Sequence, residues 1–383
     1  MPHYKFDQIA YNITDKKMPE PGDEKMYIGL EHLDSGSLKV TRWGSEVELK
    51  GQKLVMKKGD VLFGRRNTYL RRAAIAPHDG IFSAHGMIFR PKTEVIDSEY
   101  FPFFISSNYF MDAAIRISVG SLSPTVNWKT LKELEFNIPS LDEQRKNARM
   151  LAAINETKEA YQELLLQTDN LVKSQFIEMF GDPESVIDNA INTVADVADV
   201  QVGLVIKPTR FYSADGTGTP AFRSLNIGEM YIRDSEWIYF TDKGMVENQR
   251  TIAHTGDVLV VRSGYPGTSC VVTPEYDGRN VVDLIIAHPN VSKILPEFLC
   301  AFTNYPHGKI QIENSQRGVA QKHLNVSLYN KMKIVVPPME LQKQFVQLLH
   351  QSDKSKFELK EAIKSCDALM KAILFTNLEE KED

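Results

Sequence analysis

The chain has 383 residues, 42% apolar and 25% charged, which is the profile of a soluble globular protein long enough for two domains. Its net charge of −5 argues mildly against nucleic acid as a partner, although a whole-chain sum hides how charge is distributed. No run approaches the roughly 18 apolar residues of a membrane span, and the three isolated cysteines, Cys270, Cys300 and Cys366, exclude a disulfide framework or a zinc-ligand spacing.

The start, Met1-Pro2-His3-Tyr4-Lys5-Phe6-Asp7, lacks the apolar core of a signal peptide, so a cytoplasmic protein is expected. The first 139 residues read as a mixed, strand-rich globule with short apolar runs such as Ile81-Phe82-Ser83 bounded by turn residues. Between Lys39 and Lys92 there are twelve Lys/Arg against four Asp/Glu, so this globule should carry a basic face. Its strongest local signal is Gly64-Arg65-Arg66-Asn67-Thr68-Tyr69-Leu70-Arg71-Arg72, which follows a Gly-Asp-Val-Leu-Phe turn and strand. Four arginines with an aromatic and small polar residues between them supply forked donors for phosphates and guanine edges, and a loop is where such residues concentrate. A solvated basic loop is the plainer alternative. A second loop, Ser118-Val119-Gly120-Ser121-Leu122-Ser123-Pro124-Thr125-Val126-Asn127, offers hydroxyls and amides on a glycine hinge.

After Pro139 the pattern changes to about 40 residues without Pro or Gly, a helix of roughly 60 Å that stops at Phe180-Gly181-Asp182-Pro183. The stretch Leu141–Glu184 is acidic, with nine acids against five bases, so a stalk separate from the basic face is expected. A second strand-rich globule follows, with runs at Val258–Val261, Val281-Val282 and Ile334-Val335-Val336, and a second long helix begins after Pro337. The second globule is close to neutral, with fourteen bases and fifteen acids from Val186 to Pro338. Its counterpart of the arginine loop, Arg262-Ser263-Gly264-Tyr265-Pro266-Gly267, is much less basic. Its counterpart of the second loop is Ser315-Gln316-Arg317-Gly318-Val319-Ala320-Gln321-Lys322-His323-Leu324-Asn325. The chain closes on the acidic tail Glu379-Glu380-Lys381-Glu382-Asp383.

The chain is thus written twice. Gly59-Asp60-Val61-Leu62 recurs 197 residues later as Gly256-Asp257-Val258-Leu259, and Gly120, Asn127, Pro139, Gln144 and Lys158 recur 198 residues later as Gly318, Asn325, Pro337, Gln342 and Lys356. Positions 118–180 share ten identities with their counterparts, a modest number whose weight comes from the fixed offset and the repeated element order. Both long helices carry a seven-residue pattern. In the second, Phe345, Ser352, Leu359, Cys366 and Ile373 share one seam position, and Leu349, Lys356, Ile363 and Met370 share the other. The first gives Asn147, Ile154, Tyr161, Thr168 and Gln175 with Leu151, Lys158, Leu165, Val172 and Met179. The helices are expected to pack on each other, with Lys158 and Lys356 as polar intruders in an imperfect seam.

Catalytic readings find little support. There is no Walker phosphate loop, Gly216-Thr217-Gly218 reads as a turn, and the nine histidines include no HExxH. The only Pro-Pro, Pro337-Pro338, marks an element boundary and does not belong to an amino-methyltransferase tetrad. Asp23, Glu48 and Lys50 can be forced into a nuclease pattern, but that spacing is common by chance.

The order globule, long helix, globule, long helix resembles the specificity subunits of type I restriction–modification systems over essentially the whole chain. Tyr27-Ile28-Gly29-Leu30-Glu31-His32-Leu33, Phe63-Gly64-Arg65-Arg66-Asn67-Thr68-Tyr69 and Ser83-Ala84-His85 are similar to one target-recognition group of that family. Pro139 through Glu143-Gln144, Pro337 through Leu341-Gln342, and Ser174–Pro183 resemble its conserved helix boundaries, although Leu341 stands where the first copy has Glu143.

The resemblance implies an α+β protein with a pseudo-two-fold internal repeat. Target-recognition domains at 1–139 and 182–337 would be separated by antiparallel coiled-coil helices at 140–181 and 338–378, with the acidic tail at 379–383. Each domain would read one part of a split, asymmetric site in double-stranded DNA, with the helices setting the unread spacer. Candidate contacts are Arg42, Arg65, Arg66, Asn67, Tyr69, Arg71, Arg72 and His85 in the first, and Arg223, Arg262, Ser263, Tyr265, Gln321, Lys322 and His323 in the second. It further implies no catalytic site, metal or cofactor in this chain. Two methyltransferase subunits would supply S-adenosylmethionine, and restriction/translocase subunits ATP and Mg2+. The subunit of a related bipartite type II system, or a coiled-coil scaffold that binds no DNA, remain the alternatives.

Overall fold

The computed structural model describes residues 2–316 and 323–378. Arg317, Gly318, Gln321, Lys322 and the acidic tail lie outside the described residues. The chain divides into two compact units, Met1–Leu164 with Leu359–Asp383, and Leu165–Glu358. Each contains a globule together with parts of both long helices.

In the first unit, strands β1 (Ala10–Ile13), β2 (Val61–Phe63), β3 (Ala73–Ile75) and β4 (Met87–Pro91) form an antiparallel sheet in the order β1-β4-β2-β3. β2 is buried on both faces, which is why it reads as an unbroken apolar run. Val61 and Phe63 point into one core and Leu62 into another, as the two-residue period of a strand requires. The first core is aromatic. Phe6, Phe63, Phe89, Phe110 and Phe136 meet mostly edge to face, with Phe6 and Phe89 centroids 5.1 Å apart. Ala148 and Leu151 of the first long helix and Leu374 of the second close this core. The second core lies against a sheet in which Tyr27–Ile28 runs parallel to Gly80–Phe82.

The second unit repeats the plan. β5 (Ala198–Val202), β6 (Val258–Val261), β7 (Ser269–Val271) and β8 (Leu284–Pro289) are ordered β5-β8-β6-β7, again antiparallel. β6 sends Val258 and Val260 to one core and Leu259 and Val261 to the other. The first of these cores takes Val172, Phe176 and Phe180 from the first long helix and Phe345 and Leu349 from the second.

The long helices run Leu141–Phe180 and Met339–Leu378. The first opens with a capping box, in which Ser140 N–H donates to Glu143 Oε2 at 3.0 Å and Glu143 N–H donates to Ser140 Oγ at 3.4 Å. The second has Leu341 at that place and only backbone bonds, with Leu341 N and Gln342 N donating to Pro338 O. Gly181, at φ 89°, ends the first helix in the left-handed conformation, and its N–H donates to Ile177 O at 2.8 Å. Pro183 then takes the first position of a short helix, Pro183–Asn189, where its missing N–H costs nothing.

Every seam position named above is buried or half-buried. The lysines that disturb the seam are paired: Lys158 Nζ lies 2.7 Å from Asp367 in the first unit, and Lys356 Nζ lies 3.1 Å from Asp169 in the second. Asp169 and Asp367 are themselves repeat partners, so each unit uses the same lysine–aspartate pair with the helices exchanged. Within each unit the helix segments run antiparallel.

Gln144 and Gln342, both fully buried, tie helix to globule by identical bonds. Gln144 accepts from Asp97 N at 2.7 Å and donates to Val95 O and Pro139 O. Gln342 accepts from Leu295 N at 2.9 Å and donates to Lys293 O and Pro337 O. A fully satisfied buried amide fixes one orientation of the helix, because any other leaves donors unpaired.

Candidate nucleic-acid interface

The two loops singled out in each half are brought together by short β-like pairing. In the first unit β2 is followed by Gly64, whose missing side chain lets Arg72 pack against it, since an added Cβ would sit 3.2 Å from Arg72 Cβ. The chain then pairs with the second loop: Val126 N–H donates to Arg65 O at 2.9 Å and Asn67 N–H donates to Pro124 O at 2.7 Å. In the second unit Leu324 N–H donates to Arg262 O at 2.8 Å, and Ser263 pairs with His323 as Arg66 pairs with Thr125.

The four arginines of the first loop do different work. Asn67 and Arg71 are both left-handed, at φ 53° and 48°, and bracket the single turn Thr68–Leu70. Asparagine tolerates that conformation; for Arg71 it costs on the order of 1 kcal/mol. Arg71 is anchored by Asn108 at 3.0 Å and by Asp112. Arg72 is half-buried, donates to Leu30 O at 2.9 Å, and is pulled below the usual arginine pKa by that burial. Arg66 is exposed and makes one long bond, to Ser123 Oγ at 3.3 Å. Tyr69 is 57% exposed beside it, and Arg65 is half-buried. The exposed residues of this loop pair include Arg66, Tyr69, Val119 and the Ser121-Leu122 tip.

Arg42 lies apart from this group and grips Asp34 through two bonds of 2.8 and 2.7 Å, with a third to Glu31 O. The guanidinium holds the Asp34 carboxyl below the usual carboxylate range. Its bonds brace the turn that follows Tyr27–Leu33. His85 is exposed on the turn after Phe82.

In the second unit Arg262 donates to Asp283 at 2.7 Å and to His323 Nε2 at 2.8 Å. A guanidinium can only donate, so Nε2 accepts and the proton on Nδ1 goes to Ser263 Oγ, 2.8 Å away. Arg223 donates to Glu236 O at 2.7 Å. Tyr265, 85% exposed on a turn between left-handed Gly264 and Gly267, is the most outward of the described candidates in this unit.

Asp283 and Asp112 were not singled out in the sequence, whereas Ser123 was read only as one hydroxyl of the second loop. Its place beside the arginine loop is set by the pairing of the two loops. Nothing local marks the two aspartates. Among the described residues no group of His, Cys, Asp and Glu is placed to hold a metal, and no helix is long and apolar enough to cross a membrane.

The sequence matches the family described as the type I restriction modification DNA specificity domain, over residues 12–166 and 224–365. The chain belongs to that family. Each match takes in one loop pair of a globule and part of the long helix that follows it. A curated relative, the EcoDI type I restriction enzyme specificity subunit of Escherichia coli, is 24% identical over 182 residues, covering 46% of this chain and 40% of the relative. The alignment thus spans well under two thirds of that protein. Among solved structures, a chain of a type I R-M system studied for complex assembly and conformational transition aligns over 98% of this chain and 97% of its own, with TM-score 0.59 and 17% identity. The type I restriction–modification S subunit from M. genitalium covers 99% and 96%, with TM-score 0.54 and 14% identity. These likenesses establish that the two-globule, two-helix fold is that of the family.

Proposed function

We propose that this chain is the DNA-reading specificity subunit of a type I restriction–modification complex, and that it has no catalytic site of its own. The observation that carries the reading is the loop pair presented twice at repeat-related positions, with Arg66 and Tyr69 outward in one unit and Tyr265 in the other. An outward arginine beside an aromatic suits phosphate and base-edge contact, whereas the braced Arg42, Arg71, Arg72, Arg223 and Arg262 hold the loops in shape. We assign Arg65, Arg66, Asn67, Tyr69, Ser263, Tyr265 and His323 to the DNA-facing group, with His85 on a neighbouring turn.

Because the two loop pairs differ in charge and side chains, each would read different bases, and the site would be bipartite and asymmetric. The long helices would set the spacer. Each unit carries one of the exposed repeat partners Leu171 and Leu369, 198 residues apart, and equivalent surfaces of the two units would each dock one methyltransferase subunit. Those partners would bring S-adenosylmethionine, and restriction/translocase subunits ATP and Mg2+. The buried Cys270 and Cys300 suit this division of labour: burial raises both thiols, Cys300 to about 12, leaving them poor nucleophiles.

Methylome sequencing of a host expressing this chain with its methyltransferase tests the reading, against the same host lacking this chain. A two-part asymmetric modified motif that depends on the chain is expected. An assembled, methyl-donor-competent complex that produces no new motif would reject DNA reading and leave a scaffold role.

A further inference from the structure

We propose that the first unit contains a binding site for a small organic carboxylate with an apolar body, at a place that the second unit fills with its own side chains. A cavity of about 710 Å³ lies in the first unit between the Asp34–Leu38 turn, the start of the helix Asn108–Arg116, and the long-helix segments. That volume lies within the range of small-molecule sites.

The repeat shows why the cavity exists. Ser107 precedes the helix Asn108–Arg116 as Tyr305 precedes the helix Pro306–Ser315, 198 residues on. Gly36 stands four residues after the single turn Leu30–His32, as Met230 does after Ser224–Asn226, and both are left-handed, at φ 73° and 70°. In the second unit, then, a buried tyrosine ring and a methionine occupy the space. In the first, a serine and a glycine stand there instead.

The charges follow the same pattern. Lys173 and Lys371 are repeat partners. Lys173 Nζ lies 2.7 Å from the carboxylate of Glu229, which Lys309 also reaches at 3.0 Å, and Lys173 sits over the Tyr305 ring. The residue before Gly36 is Ser35, where Glu229 precedes Met230. The only carboxylate of that first-unit turn, Asp34, is held by Arg42, and Lys158 and Asp367 satisfy each other. Lys371 lines the cavity with no acidic partner among the described residues. Leu38, Met370 and Leu374 supply an apolar wall. The first unit thus keeps the cation and lacks both the carboxylate and the bulk that the second unit supplies. A ligand bringing the two together restores the arrangement seen in Glu229 and Tyr305.

A ligand-observed NMR titration of the full chain with 3-phenylpropionate tests this, using 3-phenylpropionamide as the neutral counterpart and thermal melts to verify folding. Saturable binding is expected, at least tenfold tighter for the carboxylate. Lys371→Gln should abolish that preference. Ser35→Glu, which places a tethered carboxylate where Glu229 stands in the other unit, should displace the probe. Lys173→Gln should leave binding unchanged. Equal affinity for acid and amide, or binding that survives both Lys371→Gln and Ser35→Glu, overturns the proposal. So does the absence of binding at the probe's solubility limit, the result expected if only an acidic side chain of a partner protein fits there.

Discussion

The two units place the same backbone under different chemistry, and the contrast separates what the fold needs from what each unit does. Asp60 and Asp257 close equivalent turns before β2 and β6, accepting from Lys57 N at 2.8 Å and His254 N at 2.7 Å. The outer oxygens face β4 and β8, where the first unit has Arg90 at 2.8 Å and the second has His288 at 2.6 Å. The acid is retained because the turn requires an acceptor; the cation is free to vary because it sits at the rim. The same rule separates Gln144 and Gln342, which are identical in sequence and bonding, from the loop pairs, which share only backbone pairing. At these positions the uniform residues build the frame and the divergent ones lie toward the surface.

The largest expected effect tests the frame. Gln144→Leu and Gln342→Leu each leave a buried N–H and two carbonyls unpaired, at a cost of about 3 kcal/mol. Denaturant unfolding should show losses that match within about 1 kcal/mol; a clear inequality would mean that the two clamps do different work. The next contrast lies within the arginine loop. Arg66→Ala should weaken DNA binding by the assembled complex roughly tenfold and lower the salt slope by about 1, with thermal stability unchanged. Arg72→Ala should instead destabilise the chain. Equal stability loss in the two variants would erase the distinction between outward and braced arginines.

A smaller effect concerns the helix starts. Ser140→Ala removes the capping box and should cost about 1 kcal/mol, whereas Pro338→Ala, at the equivalent place in the second helix, removes no side-chain cap. The smallest is a pH drift confined to the second unit. Asp257 holds His288 above its ordinary value of 6.5 through their hydrogen bond, against the opposing effect of burial. A raised folded pKa means that this contribution is fully present below about 6.5 and fades as pH rises through the folded value. Arg90 does not titrate in that window. His288→Arg should therefore flatten the stability profile from about pH 6.5 upward, and an unchanged profile would assign the drift elsewhere.

Much of the architecture was legible from chain order. The long helices showed because about 40 residues between Pro139 and Gly181 carry no breaker, and the repeat showed because Gly59-Asp60 and Gln144 recur at fixed offsets. The candidate loops were legible as loops, and their joining within each unit agrees with their shared place in the repeat. Which arginines face outward was not legible. Arg66 and Arg72 lie in one basic cluster, yet β3 turns Arg72 back toward Leu30 O while Arg66 stays at the tip. Lys158 and Lys356, read as intruders in a seam, are its ion-paired registers, because their partners Asp367 and Asp169 lie on the opposite helix.

The sequence by itself determined what depends on residues near one another in the chain: where helices start and stop, which short runs are apolar, and that the plan is written twice. Only the tertiary structure decided which charges meet, which donors are left for a ligand, and where Ser107 and Gly36 open a cavity that Tyr305 and Met230 close. Periodicity and capping are properties of a local stretch of backbone. Ion pairing and packing volume depend on side chains from distant segments arriving at one point, and no local pattern records that meeting.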